Sequence, residues 1–312
     1  MSMPAQTPGR SCPLDYRYGA HALAAPASLV ADSLWVAGGL YGNPFALRRL
    51  EELFSAERGK ATLMFNGDFH WFDVEAEAYA AIETGVARHT ATLGNVEAEI
   101  ARPRAGAGCG CAYPDWVDDG TVERSNRIME RLKAAAAAVP GAAGRLGTLP
   151  MFRVAEVGGE RVAIVHGDAD SLAGWGFSQE ALATHAGRES ARAAFAAAQV
   201  RVFASSHTCL PVLQSFGETG IVANNGAAGM PNFAGTEFGL ATRISVRPAP
   251  DALYRERIGP LHVEAIPIRY DAAAWRAAFL DLWPEGSDAH ASYFERLVRW
   301  PRYALPEARR AA

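Results

Sequence analysis

Residues 61–73 read ATLMFNGDFHWFD: an apolar, β-rich run that breaks into Gly67-Asp68. Three further runs end in the same way. ATLGN (91–95) stops at Asn95, RVAIVHGD (161–168) passes through His166, and VRVFASSHTC (200–209) carries His207. In an open α/β sheet the carboxyl ends of parallel strands share one edge, and ligands bind in the crevice there. Four such ends would gather Asp68, Asn95, His166 and His207 about one point. One carboxylate, one amide oxygen and two imidazoles suit a divalent transition ion such as Mn, Fe or Zn better than Ca or Cu(I).

The pattern around these runs alternates. SLWVAGGLYGN (33–43) is a strand running into a Gly-rich turn, after which Asn43 and Pro44 suit an N-cap and a first helical residue. Apolar spacing predicts helices over 44–58 and 74–89, with Asp73 as the cap of the second. Strand, helix, strand, helix, strand implies a parallel α/β sheet. Residues 101–120 (ARPRAGAGCGCAYPDWVDDG) interrupt it as a long loop, and long loops are often lids. A helix over 121–139 with Thr121 as cap follows, then a hairpin turning at Gly158-Gly159. A helix over 178–199, a second hairpin turning at 217–220, strands over 238–248 and 261–270, and two closing helices complete the chain. Residues 1–32 read as an extended arm anchored by Tyr16 and Tyr18. With no internal repeat and no linker, 1–312 is expected to form a single domain.

Composition narrows the function. The chain has 312 residues, 49% hydrophobic and 21% charged, enough for a sizeable core. A net charge of −4 without a Lys/Arg cluster gives no reason to expect nucleic acid. No apolar run reaches membrane-spanning length, and the first residues lack the basic and apolar regions of a secretory leader. Four cysteines (Cys12, Cys109, Cys111, Cys209) are too few for a disulfide framework. The cytoplasm is therefore the default compartment. Oligomeric state is left open, a homo-oligomer included.

The motif order resembles the calcineurin-like metallophosphoesterase superfamily, in particular its compact bacterial phosphodiesterase-like members. That family runs GD-x-HG-N, GD-x-x-D, GN-H-E, a strand ending in HG, GH-x-H and a hairpin ending NPGS. Here the corresponding blocks are Gly38-Gly39-Leu40-Tyr41-Gly42-Asn43, Gly67-Asp68-Phe69-His70-Trp71, Gly94-Asn95-Val96-Glu97, His166-Gly167-Asp168, Ser206-His207-Thr208-Cys209 and Asn224-Asn225-Gly226-Ala227. The resemblance covers 33–245. It implies two packed sheets flanked by helices, and hydrolysis of a small phosphate mono- or diester through a metal-activated water.

The departures from the pattern fall on one side of the implied site. The positions that hold one of the family's two ions are Asp68, Asn95, His166 and His207, all retained. The positions for the other are Gly39, Tyr41, Asp68 and Cys209, so that half is dismantled or rebuilt. Val96 stands where the family has a histidine that assists the leaving group. His70 and Tyr41 are the residues available to replace it. Cys209, with Cys109 and Cys111 from the long loop, is the thiol set from which a second site could be rebuilt. Cys109 and Cys111 could also pair as a disulfide. Asn43, Asn224 and Gly226 are candidates for an anion cradle. The alternatives to a hydrolase are a catalytically silent binding or regulatory protein of the same fold, and a thiolate–metal redox or sensing site.

Overall fold

A computed structural model describes residues 7–311. Two mixed sheets pack face to face. In chain order the strands are β1 (Leu29–Ala31), β2 (Ser33–Ala37), β3 (Ala61–Asn66), β4 (Thr90–Thr92), β5 (Phe152–Val157), β6 (Glu160–Val165), β7 (Val202–Ser205), β8 (Val212–Ser215), β9 (Ile221–Asn224), β10 (Gly239–Ser245), β11 (Tyr254–Ile258), β12 (Leu261–Ile268) and β13 (Arg309–Arg310). One sheet has the order β11-β12-β10-β2-β3-β4, the other β1-β5-β6-β7-β9-β8-β13. Strands β2, β3 and β4 are parallel, as are β6, β7 and β9.

Both faces of the central strands are covered, which is why they read as unbroken apolar runs. Leu34, Val36 and Met64 point inward and meet Val162, Ile164, Val202 and Ala204 of the other sheet. The alternate residues Trp35, Leu63 and Phe65 point outward, into a layer with α1 (Pro44–Ser55), α2 (Ala76–Val86), α3 (Asn95–Ala101), α4 (Asp119–Ala137) and α5 (Ala142–Leu146). On the opposite outer face Ala163, Val165 and Phe203 pack under α6 (Gln179–Ala183) and α7 (His185–Ala198). Helix α8 (Ala272–Leu282) adds Trp275 and Phe279 to the first layer, and α9 (Glu295–Arg299) adds Leu297. No helix among the described residues is long and apolar enough to cross a membrane.

Several expected boundaries move, each for a local reason. The run 91–95 is strand only to Thr92, and Asn95 opens helix α3, which the pattern did not reveal. Helix α2 begins at Ala76 because Asp73 is not a cap: its carboxylate accepts from Trp71 N and pairs with His70. Asp118, not Thr121, caps α4, with its Oδ1 2.9 Å from Thr121 N. The closing segment 287–300 is a π-helical turn, His290–Phe294, before α9. Helix α5 and strand β11 were also unforeseen. Residues 1–6 of the expected arm lie outside the described residues; the rest of it is held at several points. Tyr16 is fully buried with its hydroxyl donating to Glu99, Tyr18 donates to the Asp168 carbonyl, and β1 extends the second sheet beside β5.

Candidate metal centre

The carboxyl ends of β3 and β4 in one sheet face those of β6 and β7 in the other. The chain leaves β3 through Gly67, at φ 93°, and Asp68, at φ 51°. A side chain on Gly67 would collide with the Gly94 backbone and the His166 ring, so only glycine lets these turns meet. Seven described non-glycine residues have positive φ, and four of them (Tyr41, Asp68, His207, Cys209) line a single cavity. Such backbone persists only where the surroundings over-determine it, and it gathers at functional sites.

The four expected ligands do converge. His166 Nε2 is 3.2 Å from Asn95 Oδ1, 3.3 Å from Asp68 Oδ1 and 3.1 Å from His207 Nδ1. Asp68, His166 and His207 are the His/Cys/Asp/Glu group among the described residues whose ligand atoms lie within 4.8 Å of one another, and all are buried. Ions held at about 2.1 Å place neighbouring ligand atoms about 3 Å apart, which matches these separations.

Each residue is oriented from behind. His166 Nδ1 donates to the Asn66 carbonyl at 2.8 Å, leaving the Nε2 lone pair facing the centre. His207 Nε2 donates to the Cys111 carbonyl at 3.1 Å, leaving Nδ1 inward. The Asn95 amide donates to the Cys109 carbonyl at 3.0 Å, so its oxygen faces in. Such contacts fix tautomer and ring orientation in metal sites. The result is four buried electron-pair acceptors aimed at one another with no donor among them. Only a cation or a bound proton relieves that arrangement.

Electrostatics follow the same geometry. Burial opposes a charge on His166, but the Asp68 carboxylate outweighs it and its pKa rises. Burial, reinforced by neighbouring His166, pushes His207 down to about 3. Glu97 is the residue whose part the sequence did not disclose. Its buried carboxylate accepts from the backbone N–H groups of Asp68 (2.8 Å), Phe69 (3.0 Å), His70 (3.2 Å) and Gly94 (2.9 Å), pinning the Asp68 turn against the start of α3. The signal for it was its place two residues after Asn95 in the third block.

The other half is filled. Gly39 has no side chain, and a Cβ there would lie 2.8 Å from the Tyr41 ring. The Tyr41 hydroxyl contacts Cys209 Sγ at 3.0 Å. Burial pushes both groups up, so they stay neutral at ordinary pH. Cys109 and Cys111 are joined to each other as a disulfide, and no cysteine joins the ligand group. The three sulfurs therefore do not form the thiolate cluster that the sequence left open.

The remaining expected residues lie elsewhere. His70 is buried away from the cavity, with Nδ1 2.5 Å from Asp73 Oδ2 and its ring stacked 3.8 Å from Tyr79. Asn43 is consumed as the cap of α1, accepting from Phe45 N and Ala46 N and donating to the Gly229 carbonyl. Asn224 donates to the Phe177 and Ser206 carbonyls and to Thr208, and accepts from Gly226 N. Neither asparagine nor Gly226 lines the cavity, so they brace loops rather than cradle an anion. The cavity itself is small, about 40 Å³. Beyond the ligands its wall is Tyr41, Trp71, Val96, Cys111, Tyr113, Trp175, Cys209 and Tyr293, with no Lys or Arg.

No family model matches the sequence, and no curated protein matches it. Solved structures do. A metallophosphoesterase from Sphaerobacter thermophilus is 15% identical with a TM-score of 0.53, over 86% of this chain and 100% of that one. A hypothetical protein from Pyrococcus horikoshii OT3 is 16% identical with a TM-score of 0.56, over 88% and 100%. The fold is thus the metallophosphoesterase fold, two sheets flanked by helices. Within it lies a buried Asp/His/His group able to hold a metal ion.

Proposed function

We propose that this chain is a metal-dependent phosphoesterase-like hydrolase with a single-ion centre formed by Asp68, Asn95, His166 and His207, acting on a small phosphate mono- or diester. The observation that carries the reading is the convergence of four buried acceptors with no donor among them. Bound there, a divalent ion supplies Lewis acidity and lowers the pKa of a water. The chain's own residues do the rest. Asp68 offsets part of the ion's charge, and the Asn66, Cys109 and Cys111 carbonyls hold the ligands in register. Trp71 lies in the cavity wall, and its indole N–H is buried without a hydrogen-bond partner, a donor for a phosphoryl oxygen. Tyr41, Tyr113 and Tyr293, kept neutral by burial, carry the phenolic hydroxyl groups of that wall, where a donor could take the role that Val96 cannot fill.

The small volume of the cavity and its lack of a cationic side chain favour a second reading, a protein of this fold that keeps its ion without turning over a phosphoester. Elemental analysis of purified protein beside His207→Ala tests the centre. One equivalent in the wild type and little in the variant is expected. No metal after reconstitution with Mn, Fe or Zn would sink both readings. A panel of phosphomonoesters and diesters then separates them: turnover lost in His207→Ala supports the hydrolase, while full metal content with no turnover leaves the silent protein.

A further inference from the structure

The long loop between α3 and α4 carries no regular element, yet it delivers two backbone carbonyls to the centre. The Cys109 carbonyl holds the Asn95 amide and the Cys111 carbonyl holds His207 Nε2, the latter shared with the indole N–H of Trp175. Those two contacts decide which atom each ligand turns inward. The carbonyls belong to the two residues whose side chains are bonded to each other across Gly110. Both cysteines are buried, and Cys111 forms part of the wall of the cavity that Asp68, Asn95 and His207 also line. The Cys111 sulfur also lies 3.5 Å from the Asn95 amide nitrogen.

We propose that Cys109 and Cys111 are a reversible thiol–disulfide site whose state sets the affinity of the adjoining centre for its ion. This rests on the reading of the four residues as a metal centre, not on phosphoester turnover. The reducing partner is a small dithiol. Its two thiols supply two electrons and two protons, the S–S bond breaks, each cysteine sulfur gains a hydrogen, and the dithiol leaves as its cyclic disulfide. Two unbonded thiols must stand at van der Waals distance, so the segment spreads against the packed Asn95. The carbonyls then leave the positions that orient Asn95 and His207. Loss of such orienting contacts costs about 10–100-fold in metal affinity.

The test compares the full chain in two states, as oxidised by diamide and as reduced by dithiothreitol and desalted anaerobically. Alkylation under denaturing conditions counts thiols: Cys12 and Cys209 are free in the oxidised form, and all four cysteines are free in the reduced form. Mn²⁺ is titrated into each, with free ion read by electron paramagnetic resonance. The oxidised form is expected to bind one equivalent at least about tenfold more tightly than the reduced form. A Cys109→Ser/Cys111→Ser variant is expected to bind like the reduced form and to ignore dithiothreitol. Equal affinity in the two states, or a pair that stays fully alkylated after diamide, overturns the proposal. Failure of the oxidised form to bind Mn²⁺ at all overturns the metal centre, and the coupling with it.

Discussion

The two halves of the pocket sit side by side at the same strand ends, with His207 and Cys209 on one turn, yet they solve opposite problems. In the retained half every inward atom is an acceptor, and every outward atom is clamped by a carbonyl or, through the Asp68 backbone, by Glu97. In the filled half a neutral hydroxyl meets a neutral thiol, one donating to the other, over a glycine that contributes only space. The first arrangement is unfavourable until a cation arrives. The second is self-satisfied and needs none. A buried polar group is costly only when it lacks a complement, so the two halves can differ in this way without one disturbing the other.

The largest effect should come from removing the brace beneath the Asp68 turn. Glu97→Ala strands four buried backbone N–H groups. At roughly 1–3 kcal/mol for each such group, partly relieved by water, the loss of stability should be about 4 kcal/mol. Metal binding should go with it, while Tyr41 and Cys209, outside the brace, stay in contact. Urea denaturation and elemental analysis check this. A variant within about 1 kcal/mol of wild type that still binds one ion would mean the Asp68 turn holds itself.

The comparison breaks outright if the filled half can be emptied and refilled. Gly39→Asp, Tyr41→His and Cys209→His together restore the residue types that the family resemblance implies for the second ion. The metal count should rise from one to two. Tyr41 and Cys209 already occupy left-handed backbone, so the new strain falls on Gly39, at φ 64°, which must accept a side chain in the space that the Tyr41 ring gives up. A count that stays at one in a folded triple variant would show that more than the side chains has changed.

How much of this was legible without coordinates differs between the halves. Asp68, Asn95, His166 and His207 each lie just beyond an apolar run, so the strand ends were readable locally, although they meet across two facing sheets rather than along one shared edge. The order of the blocks named the two-sheet fold. Asn43 caps its helix as its place before Pro44 suggests, while His70 and Asn224 face backbone and side-chain partners rather than the cavity; a polar residue beside a glycine looks the same in either setting, and only the hydrogen-bond partners tell them apart. Glu97 stands in the third block, but its bracing part was hidden because its partners are backbone amides, three of them nearly thirty residues away, which leave no mark in side-chain types. Tyr41 as space-filler could be guessed from Gly39, but its contact with Cys209 requires two loops that no local pattern brings together.

Proton linkage sharpens the contrast at smaller scale. His207 is held at about 3 by burial and then by His166, against an ordinary value near 6.5. Between those values the unfolded chain binds more protons at this position than the folded one. Its contribution is therefore intact above about pH 6.5 and lost as pH falls towards 3, by up to about 1.4 kcal/mol per pH unit. His166 runs the other way, with a raised value, so its contribution is full below pH 6.5 and fades as pH rises through the folded value. Metal-free protein should lose stability on acidification from pH 6.5 to 4 more steeply than His207→Gln. Identical slopes would mean that His207 titrates as if in water.

The smallest change tests the filled half alone. Tyr41→Phe keeps the ring that occupies the space above Gly39 and removes only the hydroxyl that meets Cys209 at 3.0 Å. A neutral pair of this kind is worth about 1 kcal/mol. Burial raises the Cys209 thiol, and the Tyr41 contact is among the influences that lower it, so the variant thiol should titrate higher still. Alkylation of Cys209 as a function of pH reads that shift directly, and metal content should stay at one equivalent. If instead the ion is lost, the hydroxyl reaches the centre, and the division of the pocket into an acceptor half and a self-satisfied half fails at its boundary.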